Sequence, residues 1–238
     1  MGKASQQRPV NESGRLLDLT LRGYEAARNA AADCTKLVTN ATPELCRAVK
    51  EREEELDTLD REINEGVTEA IMHCRPDLEA REMLACLKLI LDLERIGDLL
   101  LSFANRALAL QNTIQEADAR DLTGMTRLLE KMMADAAAAF RSRDTDLALQ
   151  VLRADMEVDR LRNLLFMRHI ENPENTPRQG SFHLVFMSQA LERAGDHAKN
   201  LAEEVIQLVT GRSPRHLLRA QDRPDEVRFV ESLRQKTK

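Results

Sequence analysis

Aromatic side chains are scarce in this chain: there is no Trp, one Tyr and six Phe among 238 residues. Sandwiches and barrels draw on β-branched and aromatic residues, so the scarcity speaks against both. Gly and Pro are also few, nine and seven, which leaves little material for the closely spaced turns of an all-β fold. Cys34, Cys46, Cys74 and Cys86 show neither a CxxC pair nor a Cys/His ligand spacing. A zinc site or redox motif is therefore not indicated, and buried free thiols in a reducing compartment are expected. No apolar run approaches the roughly 20 residues of a membrane-spanning helix, and residues 1–10 lack the apolar stretch of a secretion signal. Met1-Gly2 opens like a myristoylation signal, but Gln6 stands where Ser or Thr is needed. These absences point to a cytoplasmic protein that meets a membrane only through its partners. A net charge of −5 gives no basic footprint for nucleic acid.

What the chain has is helix. With 42% hydrophobic and 32% charged residues, apolar positions recur at the 3.6-residue period through most of the sequence. The pattern predicts helices over about 14–39, 43–74, 77–112, 118–142, 145–171 and 180–210. Thr42 reads as an N-cap with Pro43 at the first helical position. Pro76 ends the second helix, Arg143-Asp144 makes a tight break, and Gly211 stops the last helix. The expected fold class is all-α: six long antiparallel helices in two tandem three-helix bundles. The expected organisation is a flexible N-terminus over 1–13, one bundle over 14–113, a second over 114–212, and a polar tail over 213–238 carrying Pro214 and Pro224.

The chain is also written twice. Leu-Glu-Arg-Ile-Gly-Asp at 93–98 returns as Leu-Glu-Arg-Ala-Gly-Asp at 191–196, 98 residues later. Each copy carries an acid pair at i, i+4, Glu94 with Asp98 and Glu192 with Asp196, which stacks two repelling carboxylates on one helix face. A second acid pair precedes each, Glu53 with Asp57 and Asp155 with Asp159, displaced by 102 residues. The extra four residues fall in a loop, which absorbs them readily. Four acid pairs in register point to a shared positive partner, most simply a metal ion.

Advancing 100° per residue places Val185, Gln189, Glu192, Asp196, Lys199 and Glu203 on one stripe of the last helix, with Asn200 at its edge. Phe186, Ala190, Ala194, Leu201, Val205 and Leu208 form the opposite, apolar seam. In the first copy Glu94 and Asp98 share their strip with Leu87, Leu91, Leu101 and Asn105, and Ser102 stands where Asn200 does. Carboxylates among those leucines call for neutralisation by a proton, an Arg or a metal. With fewer oxygen donors, the first half is expected to hold the weaker or smaller cation site. Oxygen ligands select hard divalent or trivalent ions such as Mg, Mn or Fe. His197 is turned away from Asp196 and reads as a packing or hydrogen-bonding residue. The alternative for any one acid pair is a solvated face in which acids pair with arginines.

Residues 191–203, Leu-Glu-Arg-Ala-Gly-Asp-His-Ala-Lys-Asn-Leu-Ala-Glu, and the copy at 93–98 resemble the two signatures of the PhoU family. Arg75-Pro76 with Asp77-Leu78, and Gly211-Arg212 with Arg215-His216, fit the same pattern, and the resemblance covers about 14–216. It implies a phosphate-transport regulator without enzymatic activity, built of two tandem three-helix bundles. It implies that Glu53, Asp57, Glu94 and Asp98 serve one surface metal site, and Asp155, Asp159, Glu192 and Asp196 the other. It further implies negative control of phosphate uptake and of phosphate-starvation (two-component) signalling. The partners would be the ATP-binding subunit of the phosphate ABC transporter, a phosphate-sensing histidine kinase and, as a homodimer, a second copy. Two other readings stand beside this one. A carboxylate-bridged di-metal oxidoreductase would need Glu-x-x-His on its helices, yet Gly97 and Gly195 stand three residues beyond Glu94 and Glu192. A metal-free scaffold would use its acid faces to bind basic partner segments.

Overall fold

The computed structural model describes residues 12–72, 77–110, 113–171, 178–212 and 214. Among these residues it shows six α-helices and no strand: α1 (Glu12–Thr39), α2 (Pro43–Ile71), α3 (Asp77–Ala109), α4 (Glu116–Ser142), α5 (Thr145–Phe166) and α6 (Arg178–Thr210). The all-α class is as the periodicity predicts. None of these helices is long and apolar enough to cross a membrane. The first residues, the 73–76 and 172–177 connections, Cys74 and the chain beyond Pro214 lie outside the described residues.

The helix ends follow local chemistry. The Thr42 side chain accepts a hydrogen bond from the Leu45 amide, and Pro43 opens α2 where its missing N–H costs nothing. Such a cap contributes about 1 kcal/mol. Asp144 caps α5 by accepting from the Asp146 and Leu147 amides, while Arg143 ends α4 in the left-handed region at φ 56°. Gly211 ends α6 at φ 70°, where a side chain would be strained. Several boundaries differ from expectation: α1 starts at Glu12 and not at 14, α2 ends at Ile71 and not at 74, α3 ends at Ala109 and not at 112, and α6 starts at Arg178 and not at 180. Helix α4 starts at Glu116, two residues before Asp118. Helix α5 passes into a π-helical turn, Met167–Glu171.

Within each half the three helices pack against one another, α1–α2–α3 and α4–α5–α6, and the halves join through α1 on α4 and α3 on α6. Helix α1 therefore has three neighbours. Its small residues Ala26, Ala27, Ala30 and Ala31 are all buried, which lets those neighbours approach closely. The Thr35 hydroxyl donates to that of Thr126 at 2.8 Å across the α1–α4 contact, and Tyr24 packs on Phe140 with ring centroids 6.0 Å apart. One continuous core, from Leu16 in α1 to Leu208 in α6, runs through both halves. Cys34, Cys46 and Cys86 are buried free thiols, as expected.

Helix α6 also packs on three neighbours, α3, α4 and α5, so its buried arc is wider than a two-sided wheel allows. Glu203, assigned above to the open strip, is 8% exposed. Phe186, assigned to the apolar seam, is 45% exposed and lies beneath the Arg106 guanidinium, 4.6 Å from its centroid.

Candidate functional site

The two acid sets lie where the motif helices cross their neighbours, α3 on α2 and α6 on α5. A glycine stands at each crossing. A Cβ on Gly97 would lie 2.7 Å from Leu56 Cδ1 and 3.7 Å from Glu53 Cα. One on Gly195 would lie 3.3 Å from Asp155 Oδ1 and 3.5 Å from Val158 Cγ1. Glu53 corresponds to Asp155 and Leu56 to Val158 at the same 102-residue offset. The two halves thus repeat in three dimensions at their acid sites, and the glycines let the acid-bearing helices approach closely.

In the first half, Glu53 and Asp57 on α2 face Glu94 and Asp98 on α3. Burial raises the Glu53 carboxyl above its ordinary value, and the charges of Asp57, Asp98 and Glu54 add to the rise. Glu94 is raised by burial and by Asp98, against Arg95, with Asp57 and Asp60 contributing from α2. Asp60, which the spacing argument missed, belongs to this set. It is raised by burial despite the Asn64 amide donating to it at 2.9 Å. It stands one turn beyond Asp57, and extending the i, i+3 pattern finds it. The Arg95 guanidinium reaches Glu94 at 3.3 Å and Asp98 at 3.2 Å, and is itself 62% exposed. Arginine pairing, the alternative raised from the sequence, is thus present on the outer side of this set.

In the second half the same positions hold a different balance. Asp155 is buried, 4% exposed, and the Lys199 ammonium donates to its Oδ2 at 2.7 Å and stands 3.5 Å from Asp196 Oδ1. Burial works against the Lys199 charge, but Asp155 and Asp196 outweigh it and raise its pKa. Asp159 is raised by burial and by Asp155 and Asp196, against Lys199 and Arg162. Glu192 is raised by burial and by Asp196, against Arg162. His197 faces away from these acids, as expected: its Nδ1 lies 2.7 Å from Asp92 Oδ1 on α3.

All eight acids singled out from the sequence therefore fall into two sets of four on facing helices. Both sets offer only oxygen donors, the chemistry of hard cations. As the side chains stand, no group of three or more His, Cys, Asp or Glu among the described residues is arranged to hold a metal ion. In the first set burial, with the repulsion of neighbouring acids added to it, raises the Glu53 and Glu94 carboxyls, and an added cation would offset both effects.

A further polar network, absent from the sequence reading, ties the start of α4 to α6. Asp118, 1% exposed, binds the Arg168 guanidinium and lies 3.0 Å from His169 Nε2, while His169 Nδ1 lies 3.2 Å from the Ser181 hydroxyl. Arg168 also reaches Asp121 at 2.7 Å. Each buried charge here has a partner, which is what burial requires.

Comparison with known proteins agrees with this duplicated architecture. The PhoU domain model matches residues 21–107 and again 122–205, that is, once in each half. A phosphate-specific transport system accessory protein PhoU homolog from Caulobacter vibrioides is 32% identical over 189 residues, covering 78% of this chain and 82% of its own. A PhoU homolog 1 from Thermotoga maritima is 34% identical over 179 residues, covering 74% and 77%. The crystal structure of PhoU from Pseudomonas aeruginosa superposes with a TM-score of 0.77 at 28% identity, over 84% of this chain and 98% of that one. On both halves and most of its length, the chain belongs to the PhoU family.

Proposed function

We propose that this protein is a non-enzymatic, metal-binding regulator of phosphate homeostasis that restrains phosphate uptake and phosphate-starvation signalling. The observation that carries the reading is the match of both halves to the PhoU domain, each half presenting the same carboxylate-lined helix crossing. Relatives bearing the name of phosphate-specific transport accessory proteins support the transport role. In this reading the protein acts in the cytoplasm as a homodimer. It joins the ATP-binding subunit of the phosphate transporter to a phosphate-sensing histidine kinase. Cations held by Glu53, Asp57, Glu94 and Asp98, and by Asp155, Asp159, Glu192 and Asp196, would brace the docking faces by neutralising their repulsion.

Deleting the gene and measuring phosphate uptake and phosphate-responsive transcription tests this role. Both should rise in phosphate-rich medium, and unaltered values in rich and starved medium alike would remove the reading. Metal analysis of protein purified without chelator tests the cation.

A second reading, the metal-free scaffold, draws support from the cations the protein itself supplies, Arg95 at the first set and Lys199 at the second. Metal-free protein that still restores regulation would favour it.

A further inference from the structure

The two acid sets share a backbone geometry but not a charge balance. Two substitutions between the copies tip this toward a cation in the first half, against a third, Lys50 where the second copy has Leu152, that runs the other way. Asp60 contributes a carboxylate on α2, and its counterpart 102 residues later is the basic Arg162. Leu101 on α3 is replaced 98 residues later by Lys199, whose ammonium sits on Asp155 and beside Asp196. The first set thus gathers Glu53, Asp57, Asp60, Glu94 and Asp98 around the exposed Arg95. Lys50, the other nearby base, pairs with the exposed Glu54 at 3.2 Å and also works against the rise of Glu53. The second set gathers four carboxylates with Lys199 in direct contact and Arg162 acting on both Asp159 and Glu192.

We propose that Lys199 is the resident cation of the second acid set, so that the two halves are unequal: divalent cations bind at the first half, and at the second only by displacing the Lys199 ammonium. The inference deepens the metal-binding reading and rests on it. It also reverses the ranking drawn from donor counts, in which the leucine-flanked first half looked the weaker.

The physical grounds are three. An ammonium 2.7 Å from a carboxylate oxygen occupies the space and the charge that a metal would need. Asp155 is nearly fully buried, and its other oxygen faces Gly195, where an added Cβ would stand 3.3 Å away, so the helix crossing itself confines the carboxylate. Arg162 lowers the negative potential further, as a like charge to any incoming ion. In the first half the position of Lys199 is filled by an uncharged leucine, and the base in contact there, Arg95, pairs with Glu94 and Asp98 of its own helix from the outer side, 62% exposed, where Lys199 reaches across to a buried acid of the facing helix.

The test is Mn²⁺ titration of the chelator-stripped full chain, followed by calorimetry and by cation-dependent melting. Wild type should show one tight class of Mn²⁺ sites, lost in the Glu94→Gln/Asp98→Asn double variant and kept in Glu192→Gln/Asp196→Asn. Lys199→Gln keeps a hydrogen-bond donor for Asp155 but removes the charge. It should tighten the second class by about tenfold or more, the equivalent of one ion pair of modest strength, whereas Lys199→Arg should behave as wild type. Leu101→Lys transplants the ammonium and should weaken the first class by a similar factor. Two equal classes in wild type, unchanged by Lys199→Gln and by Leu101→Lys, would overturn the inequality while leaving metal binding intact. No Mn²⁺ bound by any variant would overturn the metal-binding reading and this inference together.

Discussion

Asp92 of α3 and His197 of α6 join the two motif helices, with His197 Nδ1 2.7 Å from Asp92 Oδ1 and the Asn200 amide donating to the same oxygen at 3.2 Å. Both side chains are largely shielded, 17% and 24% exposed, so the pair is less screened than a surface ion pair. Asp92→Ala should cost about 1–2 kcal/mol in urea unfolding, because it strands two donors at once. A double-mutant cycle with His197→Ala should return a coupling of about 1 kcal/mol. Additive single effects would place the stabilisation elsewhere.

Gly97 sets the approach of α3 to α2. Gly97→Ala would push a methyl to within 2.7 Å of Leu56 Cδ1, and Leu56 is fully buried. Overpacking of this kind costs about 1–3 kcal/mol, only partly offset by the helix preference of Ala over Gly. A net loss in melting temperature is expected, recovered in part by Leu56→Val, which removes the clashing atom. Tolerance of the single change would mean that the helices are free to part.

Arg168 neutralises two acids at once, Asp118 at 1% exposure and Asp121. Its replacement by Ala leaves Asp118 with His169 alone, and removal of one partner from a buried ion pair costs about 3 kcal/mol. Thermal melts of Arg168→Ala and Arg168→Lys at neutral pH separate the loss of charge from the loss of the two-pronged contact. The lysine should recover less than half of the deficit.

Alkali should unfold this protein early. Burial pushes the Cys86 thiol from 9.0 up to about 11, and it raises Cys34 and the Tyr24 hydroxyl well above their ordinary values. Folding therefore favours the protonated forms. Their contribution is fully present below the unfolded-state values and declines as pH rises from about 9 through the folded-state values. Urea midpoints should be flat from pH 7 to 8.5 and then fall. The decline should be smaller in Cys86→Ser, and iodoacetamide labelling of Cys34 and Cys86 at pH 7 should be slow.

Much of this architecture is legible in the residues. The 3.6 period, the Thr42 cap, the break at Arg143-Asp144 and the stop at Gly211 are local signals, and the structure keeps them. The register of the repeat, 98 residues for α3 against α6 and 102 for α2 against α5, reappears as matching contacts at Gly97 and Gly195. What the sequence hides depends on how one helix is rotated against the next. Lys199 is plainly on the acid stripe, but its reach across to Asp155 on α5 is not a property of α6 alone. Asp118 reads as a helix start and turns out to be a buried anchor, because α4 begins a little earlier and Arg168 comes to meet it. His169 lies in a π-helical turn, whose i→i+5 bonding shifts every later side chain out of the phase that a regular wheel assumes.

The double seam between the halves, α1 on α4 and α3 on α6, has a mechanical meaning. Two contacts on separate helices prevent the rocking that a single linker would permit, so the spacing between the two carboxylate crossings is fixed like the jaws of a locked caliper. Whatever grips one flank of the molecule finds the other already at a set distance and angle.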